Sequence, residues 1–201
     1  MPTITHDYVY DDEIAIQKHQ HVQNGFAGLP KIWTTNFLNG AYEFNDGLYR
    51  PIPMSVWAIQ QAIVPDSPMP GHLTNILVYA FICLLVYRLI NRFLPDINQS
   101  WLFVLGLLFV VHPLHTEVVA NIKSLDELSA LLFALLLLDI TTAKSKLETS
   151  DCVLAGLLFL AALLSKESSI SWLVAAPLLI WAKRKTWSTD LSVLSAILFV
   201  V

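Results

Sequence analysis

The sequence predicts an all-α fold: a polytopic transmembrane helical bundle with an outer hydrophilic N-terminal loop that contains short interfacial helices. Three observations carry that expectation. Of 201 residues, 55% are hydrophobic and only 14% are charged, against about 25% charged in a soluble domain. The apolar residues fall in blocks that start near His72 and recur to Val201, whereas residues 1–71 have a soluble composition. The basic residues between the blocks alternate in a way that fits a membrane topology. Residues 1–71 therefore read as an extracytoplasmic loop, and 72–201 as the transmembrane region.

The elements follow in order. Ser55-Val56-Trp57-Ala58-Ile59-Gln60-Gln61-Ala62-Ile63, within an amphipathic stretch from Met54 to Val64, is too short to span and is expected to lie in the interface. A span needs about 20 apolar residues, which His72–Phe93 supplies. The runs Trp101–Val111, Leu128–Ile140, Val153–Leu164, Ile170–Ala182 and Leu191–Val201 are shorter. With Arg88 and Arg92 set inside, successive crossings bring Lys144, Lys146, Lys183, Arg184 and Lys185 to the same side. Lys18, Lys31, Arg50, Lys123 and Lys166 fall outside, near acidic residues or in the long N-terminal segment. This orientation places residues 1–71 outside with no apolar run before them to carry them across. The chain is accordingly expected to be a fragment lacking at least one N-terminal span and everything after Val201, a misassigned start codon being equally compatible.

A run of 11 to 13 residues does not cross about 30 Å of hydrocarbon at roughly 1.5 Å per residue. Flanking polar groups must then sit within the boundary against protein or water. His112, His115, Glu117, Lys123, Asp126, Glu127, Lys166 and Glu167 are those groups, all on the outer side. A polar cavity opening to the periplasm or lumen follows.

Four motifs have chemistry to offer. In Asp11-Asp12-Glu13, adjacent carboxylates repel, which poises one as a base near neutrality; acids that complement a helix dipole give the same pattern. Tyr49-Arg50-Pro51 holds a guanidinium fork between rigid neighbours, suited to phosphate or to snorkelling beside aromatic anchors. His112-Pro113-Leu114-His115-Thr116-Glu117 offers two imidazoles and a carboxylate, which can ligate zinc-like ions or fix a broken helix by hydrogen bonds. Ser165-Lys166-Glu167 places a lysine at the mouth of the cavity, either as a phosphate contact or in a local ion pair. Cys83 falls in a span and Cys152 in a loop, so no disulfide is expected. A net charge of −4 and the lack of a basic, aromatic-laced stripe exclude a nucleic-acid partner.

Together, Tyr10-Asp11-Asp12-Glu13, Tyr49-Arg50-Pro51, the His72/Asn75 start of a span, His112-Pro113-Leu114-His115-Thr116-Glu117-Val118-Val119-Ala120, Asp126-Glu127 and Ser165-Lys166-Glu167 occur in a distinctive order. The chain resembles, over roughly 7–182, the N-terminal membrane half of type C glycosyltransferases. It is similar to the transmembrane and tetratricopeptide-repeat O-mannosyltransferases, their bacterial counterparts and glycosyltransferase family 39-like proteins. The resemblance implies transfer of a sugar from a polyprenyl-phosphate carrier to an acceptor protein, lipid or glycan. It places the enzyme in the ER membrane or a bacterial inner membrane, with its site facing lumen or periplasm. Asp12 or Asp11 would be the base on the acceptor hydroxyl, Asp12 preferred. Arg50 and Lys166 would hold the lipid phosphate, with Tyr49, Asp126 and Glu167 beside them. His112, His115 and Glu117 would shape the sugar and carrier pocket. Two departures stand out: no span precedes the acidic motif, and Lys123-Ser124-Leu125-Asp126 stands where animal members carry a Gly-Arg-Ala-Asp-like stretch, which moves a basic contact to Lys123. No cofactor is implied with certainty, and the need for a divalent metal stays open. A transporter-like protein with an outer solute cavity and a non-catalytic membrane scaffold are the competing readings; the first should show inverted repeats, and none is visible.

Overall fold

A computed structural model describes residues 6–42 and 47–201. These are helical throughout, with one isolated bridge between Asn39 and Tyr42 as their only β-type pairing. The N-terminal part runs as short turns: Glu13–Gln17, α1 (Gln20–Gln23), Gly25–Gly28 and α2 (Leu29–Ile32). Longer helices follow: α3 (Pro51–Ile63), α4 (Met69–Phe93), α5 (Gln99–Val110), α6 (Pro113–Ala120), α7 (Leu125–Ala143), α8 (Thr149–Ser165), α9 (Trp172–Arg184) and α10 (Thr189–Val200).

Local chemistry sets the boundaries. Pro51 opens α3, where a missing N–H costs nothing. The Asn98 side chain caps α5 by accepting from Ser100 N at 2.8 Å. Pro113 cannot continue α5, because it lacks an N–H and crowds the preceding residue; the helix stops at Val110 and α6 starts on the proline itself. Asn121 caps the next turn, Ile122–Ser124, by accepting from Lys123 N at 3.0 Å.

Among the described residues, α4 is the one continuous helix long and apolar enough to cross a membrane. At 25 residues it measures about 37 Å, more than the roughly 30 Å of hydrocarbon. The helices α5 and α6 reach that standard only if counted together across the break. The predicted run Leu128–Ile140 is extended at both ends into α7, which therefore also carries Asp126 and Glu127. Cys152, expected in a loop, lies buried in α8.

The chain forms two compact units. The first comprises Met1–Tyr79, Pro113–Ser129 and Leu164–Glu167. Its core gathers Ala15, Ile16, Val22, Ile32, Phe37, Met54, Trp57, Ala58, Ile122 and Leu125. Met54, Trp57 and Ala58 come from one face of α3, so part of the stretch read as interfacial is a protein core. Gly71 of α4 lies so close to Ile122 that a Cβ there would collide with Ile122 Cγ2; only glycine allows this approach.

The second unit comprises Ala80–His112, Ala130–Leu163 and Ser168–Val201. Asp139 pairs with Arg88 at 3.0 Å and with Arg92 at 2.9 Å. Lys183 Nζ donates to Arg92 O at 2.5 Å, and Arg184 donates to Thr141 O and Lys144 O at 3.0 Å each. Lys144 in turn pairs with Asp151 at 2.8 Å. Five of the seven basic residues assigned to one side of the membrane thus meet in one cluster.

Candidate functional site

Asp11 and Asp12 begin a helical turn behind Tyr10, whose φ of 48° is left-handed and strained for a bulky residue. The two carboxylates part at once. Asp12 is fully buried, with Oδ1 accepting from Lys123 N at 2.7 Å and Oδ2 from Val9 N at 3.2 Å. Burial pushes its carboxyl above the usual aspartate range, opposed by the backbone N–H groups of Lys123, Val9 and Ile122 and by the charge of His72. Asp11 is exposed and lines a cavity of about 340 Å³ with Ile14, Phe37, Tyr42, Arg50 and Lys123.

Arg50 is the centre of charge. It sits at the mouth of α3, fixed by the following proline, with its Cζ 5.3 Å from the centre of the Phe37 ring. Nη1 donates to Asp126 at 2.6 Å, while Nε and Nη2 fork onto Glu167 at 2.9 and 2.5 Å. Lys123 Nζ approaches Asp126 at 3.3 Å, and Lys166 pairs with Glu127. Charges at both ends of these pairs hold Arg50 protonated: burial alone would lower its pKa, but Glu167 and Asp126 raise it. The Arg50 hydrogen bond holds the Glu167 carboxyl below its ordinary value.

Behind this cluster, His72 and Asn75 stand one turn apart at the start of α4, both fully buried. His72 Nε2 donates to His6 O at 3.1 Å, and Asn75 Nδ2 donates to Asn121 O at 2.8 Å. His72 Nδ1 and Asn75 Oδ1 are buried and find no hydrogen-bond partner among the described residues. Asn75 thereby braces the Asn121–Lys123 turn, whose Lys123 N–H meets Asp12, while His72 ties the start of α4 to His6. Sequence reasoning used this pair only as a family mark; two polar residues three apart at the start of an apolar run were the available signal. Glu127 was noted as a boundary residue, but its pairing with Lys166 was not foreseen.

The structure thus brings Asp11, Asp12, Arg50, Lys123, Asp126, Lys166 and Glu167 into one unit, linked through the pairs described. Tyr49 does other work, its hydroxyl donating to Trp33 O at 2.8 Å. His115 Nδ1 shares a hydrogen bond of 2.8 Å with the Tyr79 hydroxyl. Glu117 is exposed on α6, and among the described residues no hydrogen bond or ion pair joins its side chain to the cluster. His112 falls in the second unit, where it lines an apolar cavity of about 700 Å³ with Phe93, Leu105 and Phe109. In the chain it occupies the break after α5, whereas His115 is on α6. Among the described residues no three His, Cys, Asp or Glu side chains are grouped to hold a metal ion.

The chain is similar to several known proteins. The mouse protein O-mannosyl-transferase TMTC2 (Mus musculus) is 35% identical over 141 residues, covering 67% of this chain and 16% of that protein. The chain is a relative of the protein O-mannosyl-transferases. The Drosophila melanogaster protein O-mannosyl-transferase Tmtc1 is 28% identical over 177 residues, 86% of this chain and 20% of its own. Human TMTC3 is 27% identical over 178 residues, 82% and 18% respectively. The chain therefore spans about a sixth to a fifth of the length of these relatives. No protein-family model and no solved structure matches it.

Proposed function

We propose that the chain forms the catalytic region of a membrane glycosyltransferase, mannosyltransferase-like, which moves a sugar from a polyprenyl-phosphate carrier to an acceptor hydroxyl. The observation that carries this reading is the cavity of the first unit, where Asp11, Arg50 and Lys123 share one wall set. A carboxylate facing two cations is what a base-assisted displacement on a phosphate-linked sugar requires. Asp11 takes the acceptor proton, the freed oxygen attacks the anomeric carbon, and the carbon–oxygen bond to phosphate breaks with inversion. The carrier phosphate departs with the bonding electrons, toward Arg50 and Lys166. Asp12 acts as a positioning residue, tying the Asp11 turn to Lys123.

The polytopic bundle belongs to the same reading. It is supported by α4, by the broken α5–α6 pair and by the basic cluster of the second unit. The site then faces the lumen of the ER or a bacterial periplasm. The test is sugar transfer by the full-length protein from polyprenyl-phosphate-mannose, with nucleotide-linked mannose as control. Transfer from the lipid donor alone is expected; transfer from the nucleotide donor with none from the lipid would refute it.

One observation favours a second reading, a non-catalytic scaffold. Arg50, Lys123 and Lys166 each already face a carboxylate, as they would in a purely structural network. A scaffold binds no prenyl phosphate in an Arg50-dependent way.

A further inference from the structure

The ion pairs of the cluster are of two kinds. Asp126 is fully buried against Arg50, whose own side chain is 7% exposed. Glu167 grips the same guanidinium but is 51% exposed, and Glu127, the partner of Lys166, is 50% exposed. Arg50 and the largely covered Lys166 thus each have a counter-ion that can swing into solvent at small cost, since half-exposed pairs are worth little. The geometry of the Arg50–Glu167 contact is the two-pronged one that guanidinium also makes with phosphate. Asp126 stays behind in either case, so Arg50 is never left buried without a counter-charge.

We propose that Glu167 and Glu127 are built-in substitutes for phosphate, holding Arg50 and Lys166 respectively between turnovers and displaced when the carrier phosphate arrives. The proposal rests on the lipid-phosphate reading above. The exchange is matched in charge: the donor is a phosphodiester with one negative charge, as is Glu167. Transfer releases a phosphate monoester carrying about two negative charges at neutral pH, and both cations are then free to meet the second. Returning carboxylates compete with that product and speed its departure.

The test is calorimetric titration of the full-length protein in detergent with farnesyl phosphate, and in parallel with inorganic phosphate. Glu167→Gln should bind farnesyl phosphate about fivefold more tightly than wild type, the scale of one half-exposed ion pair. Glu127→Gln should shift affinity in the same direction, which guards against a local distortion in the first variant. Tightening confined to farnesyl phosphate identifies the lipid headgroup as the displaced group's counterpart; equal tightening toward inorganic phosphate identifies the free anion. Unchanged or weaker binding in both glutamine variants, with binding still lost in Arg50→Gln, overturns the substitute role and leaves the lipid-phosphate reading standing. Equal affinity in wild type and Arg50→Gln overturns both.

Discussion

Asp11 and Asp12 are neighbours in the chain and occupy opposite environments, one on a cavity wall and one buried beneath it. Asp12→Ala should lower stability by about 1–3 kcal/mol, because the N–H groups of Lys123 and Val9 lose their acceptor. Asp11→Asn should leave thermal unfolding unchanged while transfer falls by about 10²–10⁴. Titration separates them as well. Burial raises the Asp12 pKa, so folding favours its protonated form. That contribution is fully present below the ordinary value of about 3.9 and is lost as pH rises through the folded value. The unfolding temperature of wild type should therefore fall relative to Asp12→Asn as pH rises through that window; parallel curves would contradict it. Glu167 has the opposite sign: its pKa is lowered by Arg50, so its contribution is present above the unfolded value and fades as pH falls through the folded one. Asp126→Asn takes away the buried counter-ion of Arg50 but leaves Glu167 in place, and a loss of about 1–3 kcal/mol is expected from chemical denaturation. At this scale residue type was legible and partnership was not. A guanidinium between Tyr49 and Pro51 announces an anion, but Arg50 and Glu167 lie 117 positions apart, and only the tertiary fold joins them. The order of Asp11 and Asp12 was hidden for the same reason: burial is not local.

Among the elements, the Asn121–Lys123 turn connects most of the site, since it receives Asp12, Asn75 and Gly71. Gly71→Ala would drive a methyl into Ile122, and overpacking of this kind costs about 1–3 kcal/mol. Ile122→Ala removes the atoms it would strike, so the double variant should be less destabilised than the sum of the single ones. Additive losses in a double-mutant cycle would show that the two positions do not meet. Helix existence and the break before Pro113 were readable, because apolar runs and proline act locally. The extension of α7 over Asp126 and Glu127 was not, since those carboxylates are tolerated there by Arg50, Lys123 and Lys166. His112 lies in the break after α5, and His115 on α6 itself.

For the molecule as a whole, charge gave the strongest signal. Seven basic residues were assigned to one side from the sequence, and five of them share one hydrogen-bonded cluster. The proposed topology predicts that a cysteine at Lys146, with Cys83 and Cys152 replaced by serine, reacts with an impermeant maleimide only from the cytosolic face. A cysteine at Tyr42 should react only from the lumenal or periplasmic face, and labelling of both from one face would contradict the arrangement. The central claim, that Asp11 and its facing cations move a lipid-borne sugar, is tested most directly by single-turnover transfer from polyprenyl-phosphate-mannose. The full-length protein would be reconstituted in lipid vesicles, wild type beside Asp11→Asn. Rapid transfer is expected from wild type and at least a hundredfold slower transfer, on the order of a lost general base, from an Asp11→Asn protein that is inserted and folded. Equal rates in the two proteins would contradict it.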